Sequence, residues 1–224
     1  MSDSRLSASS AKRNLGEDVY ESIKQQIMSH AISPGARVNI DRLSRVLDVS
    51  QTPIRQALAR LESEGLVEKQ PSVGYSATQV LTRKELEDLY DFRLLTEPWA
   101  AARAAALRTG GTRESLETEL AKIKDIQNAH PEDPLKTMLA HDARFHDLIL
   151  SLAGNEVVRS ALDRTHSHLH LFRLYSRDRG VDITVDEHVG IASAINAGDQ
   201  PAAARAMREH IESSRARTIQ MLQT

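Results

Sequence analysis

One aspartate and three histidines in the second half of the chain occupy positions that helical periodicity turns toward a protein interior. Between residues 135 and 153 the row Leu139, Asp142, His146, Ile149, Ala153 recurs at helical spacing, so a carboxylate and an imidazole fall one turn apart on an otherwise apolar face. His188 shares a stripe with Ile191, Ala192 and Ile195, and His210 shares one with Ala203, Met207 and Ser214. Burying such groups unpaired costs roughly several kcal/mol each, so the four are expected to converge on something. A carboxylate with three imidazoles is a suitable donor set for a divalent transition metal, and Zn, Ni and Mn can all be held by N and O donors. For any one of these histidines alone, a hydrogen-bonded core imidazole is the commoner arrangement.

A different chemistry is written into residues 50–65, SQTPIRQALARLESEG. Thr52 is a candidate helix cap, with Pro53 at the first helical position, where its missing N–H costs nothing. Ile54, Leu58 and Leu61 form a buried face, Gln51, Arg55, Gln56 and Ala59 lie on the other side, and Gly65 stops the helix. That polar face suits the DNA major groove, where Arg reaches guanine O6/N7 and Gln reaches adenine N6/N7.

Residues 16–30 read as a helix with Val19, Tyr20, Ile23, Ile27 and Met28 on one face, ended by the turn Ser33, Pro34, Gly35. A brief helix follows over 40–47 with Leu43, Val46 and Leu47 inward, and 48–50 connect it tightly to the arginine-bearing helix as a helix-turn-helix. Residues 66–78 then read as a two-stranded hairpin turning at 70–74. The domain is thus expected over 16–79 as three helices and a wing, preceded over 1–15 by a Ser-rich flexible arm.

Beyond Val80 the pattern is helical. Helices are expected over 83–108, with Leu86, Leu89, Tyr90, Arg93, Glu97, Ala100 and Ala104 in one stripe, then over 112–129 capped by Thr112 after a Gly110-Gly111 break. A turn at 130–134 and helices over 135–153, 155–178, 184–197 and 201–222 complete an all-α bundle of six or seven helices over 83–222. The fold class is mainly α.

The 224 residues carry 29 basic and 31 acidic side chains, so bulk charge does not drive polyanion binding and any such contact needs a local patch. Residues 1–80 hold 10 Lys and Arg against 9 Asp and Glu, which decides little. With no cysteine, disulfides and thiolate metal sites are excluded, in keeping with a reducing cytoplasm. No apolar run approaches the roughly 20 residues that span a bilayer, so no membrane partner is expected.

Several stretches carry a family resemblance. DVYESIKQQI, SPGARVN, LSRVLDVSQTPIRQALARLESEGLVE and the glycine of PSVGY resemble the winged helix of the GntR family of bacterial transcription regulators. The resemblance implies that Arg55 contacts a base, that Ser50 and Thr52 contact phosphate, and that Gly74 lets the wing approach the backbone. Gln51 stands where an arginine is common and Gln56 where a glutamate is common, so the operator is expected to differ from that of relatives. Arg42, Arg45 and Arg60 are candidates for phosphate contact or for plain solvation.

FRLLTEPWAARAAA, HDARFHDLI, DEHVGIASAINAGD and AMREHIE resemble the FCD ligand-binding domain of the FadR-like subgroup, specifically its metal-binding members. By that resemblance Asp142, His146, His188 and His210 are the metal ligands, with open coordination positions for water or an effector's carboxylate. Arg93 falls where the subgroup often holds that carboxylate, or else forms an i,i+4 ion pair with Glu97. By helical spacing His166 and His170 share a face while His168 points away; one or two of them are candidates to line the effector cavity, with a solvated or interface role as the alternative.

The resulting expectation is a homodimeric repressor in the cytoplasm that reads a palindromic double-stranded operator under control of a small organic acid at a divalent-metal site. The competing expectations are a metal-dependent hydrolase or lyase built on the Asp/His set, and a regulator whose metal is purely structural. No HExxH, GxSxG or phosphate-cradling glycine loop supports the enzyme.

Overall fold

The computed structural model describes residues 3–129, 134–174 and 181–222, which divide into two compact units, Met1–Val80 and Leu81–Thr224. The expected turn at 130–133 and helix end near 178 lie outside these residues, as does the side chain of Leu139.

The first unit holds helices α1 (Asp3–Met28), α2 (Ile40–Val46) and α3 (Gln51–Ser63) and strands β1 (Val67–Gln70) and β2 (Gly74–Ala77). Val19, Tyr20, Ile23 and Ile27 of α1 meet Ile54, Leu58 and Leu61 of α3, and Leu66 and Ala77 close the core. The strands pair antiparallel with Val67 opposite Ala77 and Gln70 opposite Gly74, and Gly74 takes φ 98°, the left-handed region that favours glycine. Arg37 bridges to Ser76 beside this hairpin.

Three local expectations are corrected. The segment expected as a flexible arm enters α1, which begins at Asp3 rather than Gly16; once a helix is nucleated, each added residue brings a backbone bond. The cap of α3 is Ser50, not Thr52, which puts Pro53 at the third helical position. Proline is tolerated there too, because the first four N–H groups of a helix have no intrahelical acceptor. Val46 is exposed rather than inward, leaving Leu43 as the buried residue of α2. Asp48 takes φ 51° in the tight connection, a conformation that Asp adopts more readily than most residues.

The second unit holds seven helices among the described residues: α4 (Arg83–Leu107), α5 (Gly110–Ala129), α6 (Pro134–Leu152), α7 (Glu156–Asp163), α8 (Ser167–Leu174), α9 (Val181–Ala197) and α10 (Gln200–Met221). Thr82 opens α4 with a capping box to Glu85, and Asp199 caps α10 ahead of Pro201. Along α4 the expected stripe is buried at Leu86, Tyr90, Arg93, Glu97, Ala100 and Ala104. It packs on α10, where Tyr90 bonds Ser214 and Thr218 at 2.9 Å each.

Two helix limits differ from expectation. Gly110 and Gly111 open α5 instead of breaking the chain, and Thr112 is buried with its Oγ1 accepting from the Thr109 N–H. The helix expected over 155–178 is interrupted after Asp163, where His166 takes φ 48° and α8 starts afresh.

Candidate metal centre and nucleic-acid interface

Asp142 and His146 on α6, His188 on α9 and His210 on α10 come together in the second unit, each offering a ligand atom, and these atoms all lie within 4.8 Å of one another. Donors about 2.0–2.2 Å from a shared metal ion lie roughly 3–4.4 Å apart, so the spacing is close to that of a coordination shell. His146 Nε2 is 3.1 Å from His210 Nε2 and 3.6 Å from Asp142 Oδ1, and His188 Nε2 is 3.5 Å from the same oxygen.

The other nitrogen of each ring is held from behind. Glu97 accepts from His146 Nδ1, Glu187 accepts from His210 Nδ1 at 2.8 Å, and His188 Nδ1 lies 3.0 Å from His141 Nε2. Such partners fix which nitrogen faces a metal. His188 Nε2 is the buried nitrogen of the cluster with no hydrogen-bond partner among the described residues, and it is the observation that best fits a cation.

The charges around the cluster are uneven. Burial alone would raise the Asp142 carboxyl, but His146, His188 and Arg93 hold it well below the usual range. Burial alone would lower His146, yet Glu97 and Asp142 outweigh it and push it up to about 9. His188 is pushed well below its ordinary value by burial and then by His210, and burial also lowers His210. The surroundings thus favour the charged form at His146 and the neutral form at His188 and His210.

Of its two alternatives, Arg93 makes the i,i+4 ion pair. Its Nε donates to Glu97 Oε1 at 2.6 Å with both side chains buried, and it also lines a cavity beside the cluster with Glu97, Asp142, His146, Arg159 and His168. Arg159 is itself held by Asp147 at 2.7 and 2.8 Å. His166 and His170 are not among the lining residues. His166 takes a left-handed turn ahead of α8, its C=O accepting from the His170 N–H at 3.1 Å, and of the three alternating histidines it is His168 that lines the cavity.

Two participants escaped the sequence reading, His141 and Glu119. His141 is fully buried between Glu119 on α5, 3.1 Å from its Nδ1, and His188. The available signal was Glu119 between Leu116 and Ile123 at steps of three and four, a carboxylate in an apolar row.

In the first unit Arg42, Arg45, Ser50, Gln51, Thr52, Arg55 and Gln56 are all exposed. Gln51 Nε2 donates to Asp41 Oδ1 at 2.6 Å and its Oε1 accepts from Arg55 at 3.2 Å, so Gln51 ties α2 to the arginine of α3. Arg60 is committed locally, to Glu17 at 2.9 Å and over the Tyr20 ring at 3.6 Å. A Cβ on Gly74 would meet nothing within 4 Å, so this position needs glycine for its φ and not for space.

A winged helix-turn-helix joined in one chain to an all-α unit is the build of a DNA-binding transcription regulator. Residues 15–76 match the family of bacterial regulatory proteins known as gntR, and residues 88–213 match the FCD domain. This chain belongs to the GntR family of transcription regulators, with an FCD domain as its C-terminal part.

It is 25% identical over 193 residues to the HTH-type transcriptional regulator YdhC of Bacillus subtilis, covering 85% of each chain. It is 24% identical to the HTH-type transcriptional repressor RspR of Escherichia coli, over 88% of this chain and 86% of that one. Among solved structures, Escherichia coli McbR/YncC shares the fold with a TM-score of 0.69 at 21% identity, over 92% of this chain and 97% of that one. The family and these relatives are regulators, not enzymes, which sets aside the hydrolase or lyase alternative. Among the described residues no helix is long and apolar enough to cross a membrane.

Proposed function

We propose that this regulator binds a palindromic double-stranded operator as a homodimer in the cytoplasm, and that a divalent metal and a small organic acid at the FCD site set its affinity for DNA. The observation that carries the reading is the convergence of Asp142 and three histidine Nε2 atoms beside a cavity that Arg93 also lines. Asp142, His146, His188 and His210 would hold the metal, which when bound supplies a Lewis-acidic anchor for a carboxylate. Arg93 would add a charged donor at the same place. Repression is the direction favoured by the likeness to RspR.

Two winged helices related by a twofold axis read two half-sites, and an acid that prefers one arrangement of the pair shifts DNA affinity by its differential affinity alone. Arg55 is assigned the base contact and Ser50, Thr52, Arg42 and Arg45 the phosphates, with Gln51 and Gln56 on the same helix and Gly74 in the wing.

Fluorescence anisotropy on a duplex selected from a random pool tests the reading. Arg55→Ala is expected to lose about 1–3 kcal/mol on the selected duplex and little on a random one, and equal losses on both would refute base readout by Arg55. With metal present, at least one acid from a panel of small carboxylates should shift the midpoint. A midpoint insensitive to metal and to every acid would leave the metal structural and remove the effector.

A further inference from the structure

We propose that the buried pair Glu119 and His141 is a positioning device that fixes the tautomer of His188, so that a lone pair and not an N–H faces Asp142. The proposal rests on reading the Asp142 cluster as a divalent-metal site, and it assigns a role to α5, which contributes none of the four donors.

The direction of each hydrogen bond follows from what its partner can do. Glu119 is held by Arg144 at 2.9 Å and by Lys122 at 3.0 Å, so its carboxylate accepts, and the proton between it and His141 sits on His141 Nδ1. In the neutral ring a proton on Nδ1 leaves Nε2 bare, and His141 is fully buried. That nitrogen is 3.0 Å from His188 Nδ1, and two nitrogens so close share one proton, which His188 must supply. His188 is then the Nδ1–H tautomer, and its Nε2 lone pair points at the cluster.

The orphaned atom fits this assignment. His188 Nε2 lies 3.5 Å from Asp142 Oδ1 without making a hydrogen bond, as two lone pairs facing each other would. The opposite tautomer would place an N–H there for Asp142 to accept, and the cluster could satisfy itself as an ordinary core hydrogen bond. His188 also stacks on Phe145, with ring centroids 4.0 Å apart and planes 14° apart, so the ring is held in orientation as well as in tautomer.

The test has two parts. Long-range proton–nitrogen correlation on metal-free wild-type protein near neutral pH is expected to show His188 protonated at Nδ1, and an Nε2–H signal would overturn the proposal. In competition with a chromophoric chelator, His141→Phe is expected to weaken zinc binding about 10–100-fold at unchanged stoichiometry. His141→Gln can accept from His188 through Oε1 and donate to Glu119 through Nε2, so it should recover most of that loss. Wild-type affinity in His141→Phe, or no recovery in His141→Gln, would also overturn it. If wild-type protein takes up no zinc, the metal reading fails while the tautomer spectrum still decides the relay. If zinc binds and His188 carries Nε2–H, the relay fails and the metal reading stands.

Discussion

Replacing Arg93 with methionine is expected to lower the unfolding free energy by about 3–5 kcal/mol, the cost of leaving a buried counter-charge short of its partner. Arg93 and Glu97 lie one turn apart on α4, with side chains 4% and 1% exposed, and Glu97 extends the chain of charges to His146. Burial alone would raise the Glu97 carboxyl; Arg93 and His146 instead hold it at about 2, so it remains ionised in the fold. Removing the arginine alone strips one of two cations from a carboxylate whose side chain is 1% exposed. The double change Arg93→Met with Glu97→Leu removes both charges and should recover most of the loss, because apolar replacement of a whole buried pair is often near neutral. Denaturant unfolding of the two variants checks this. A single variant as stable as wild type, or a double variant worse than the single one, would contradict the buried pair.

Divalent metal is expected to stabilise the protein, with a pH dependence set by His146. At a free concentration about 1,000 times the Kd, a ligand specific for the folded state adds about 4 kcal/mol, or roughly 8–16 °C in Tm for a chain of this size. Metal must displace a proton from His146, which Glu97 and Asp142 hold up to about 9, so apparent affinity should rise about tenfold per pH unit between 6.5 and that value.

In metal-free protein the signs run the other way. The His146 contribution is fully present below its ordinary value of 6.5 and is lost as pH rises through about 9. His141, His188 and His210 have lowered values, so their contribution is present above 6.5 and is lost as pH falls below it. Metal-free Tm should therefore peak near pH 6.5, and the metal-induced rise in Tm should grow between 6.5 and 9. Thermal melts with chelator or with metal across this range measure both limbs, and a metal effect independent of pH would contradict proton displacement from His146.

Much of this was legible in the sequence because period and chemistry agreed. Ile54, Leu58 and Leu61 mark the buried side of α3, and the row Asp142, His146, Ile149 marks that of α6, so these faces followed from spacing alone. The cap of α3 was misplaced by two residues because proline is compatible with any position in the first turn, leaving Pro53 unable to choose between Ser50 and Thr52. The break before α8 was invisible for a related reason, since 164–170 contain neither glycine nor proline and the left-handed turn falls on His166. The cavity-facing histidine beyond it is His168, not the candidates His166 and His170. His141 was missed because its partners, Glu119 and His188, lie 22 and 47 residues away, and local periodicity does not report such pairs.

Metal content per chain, measured on purified wild-type protein and on the double variant Asp142→Ala with His146→Ala, tests the site most directly. One divalent ion per wild-type chain and none in the variant is the expected result; full retention of metal in the variant would contradict it.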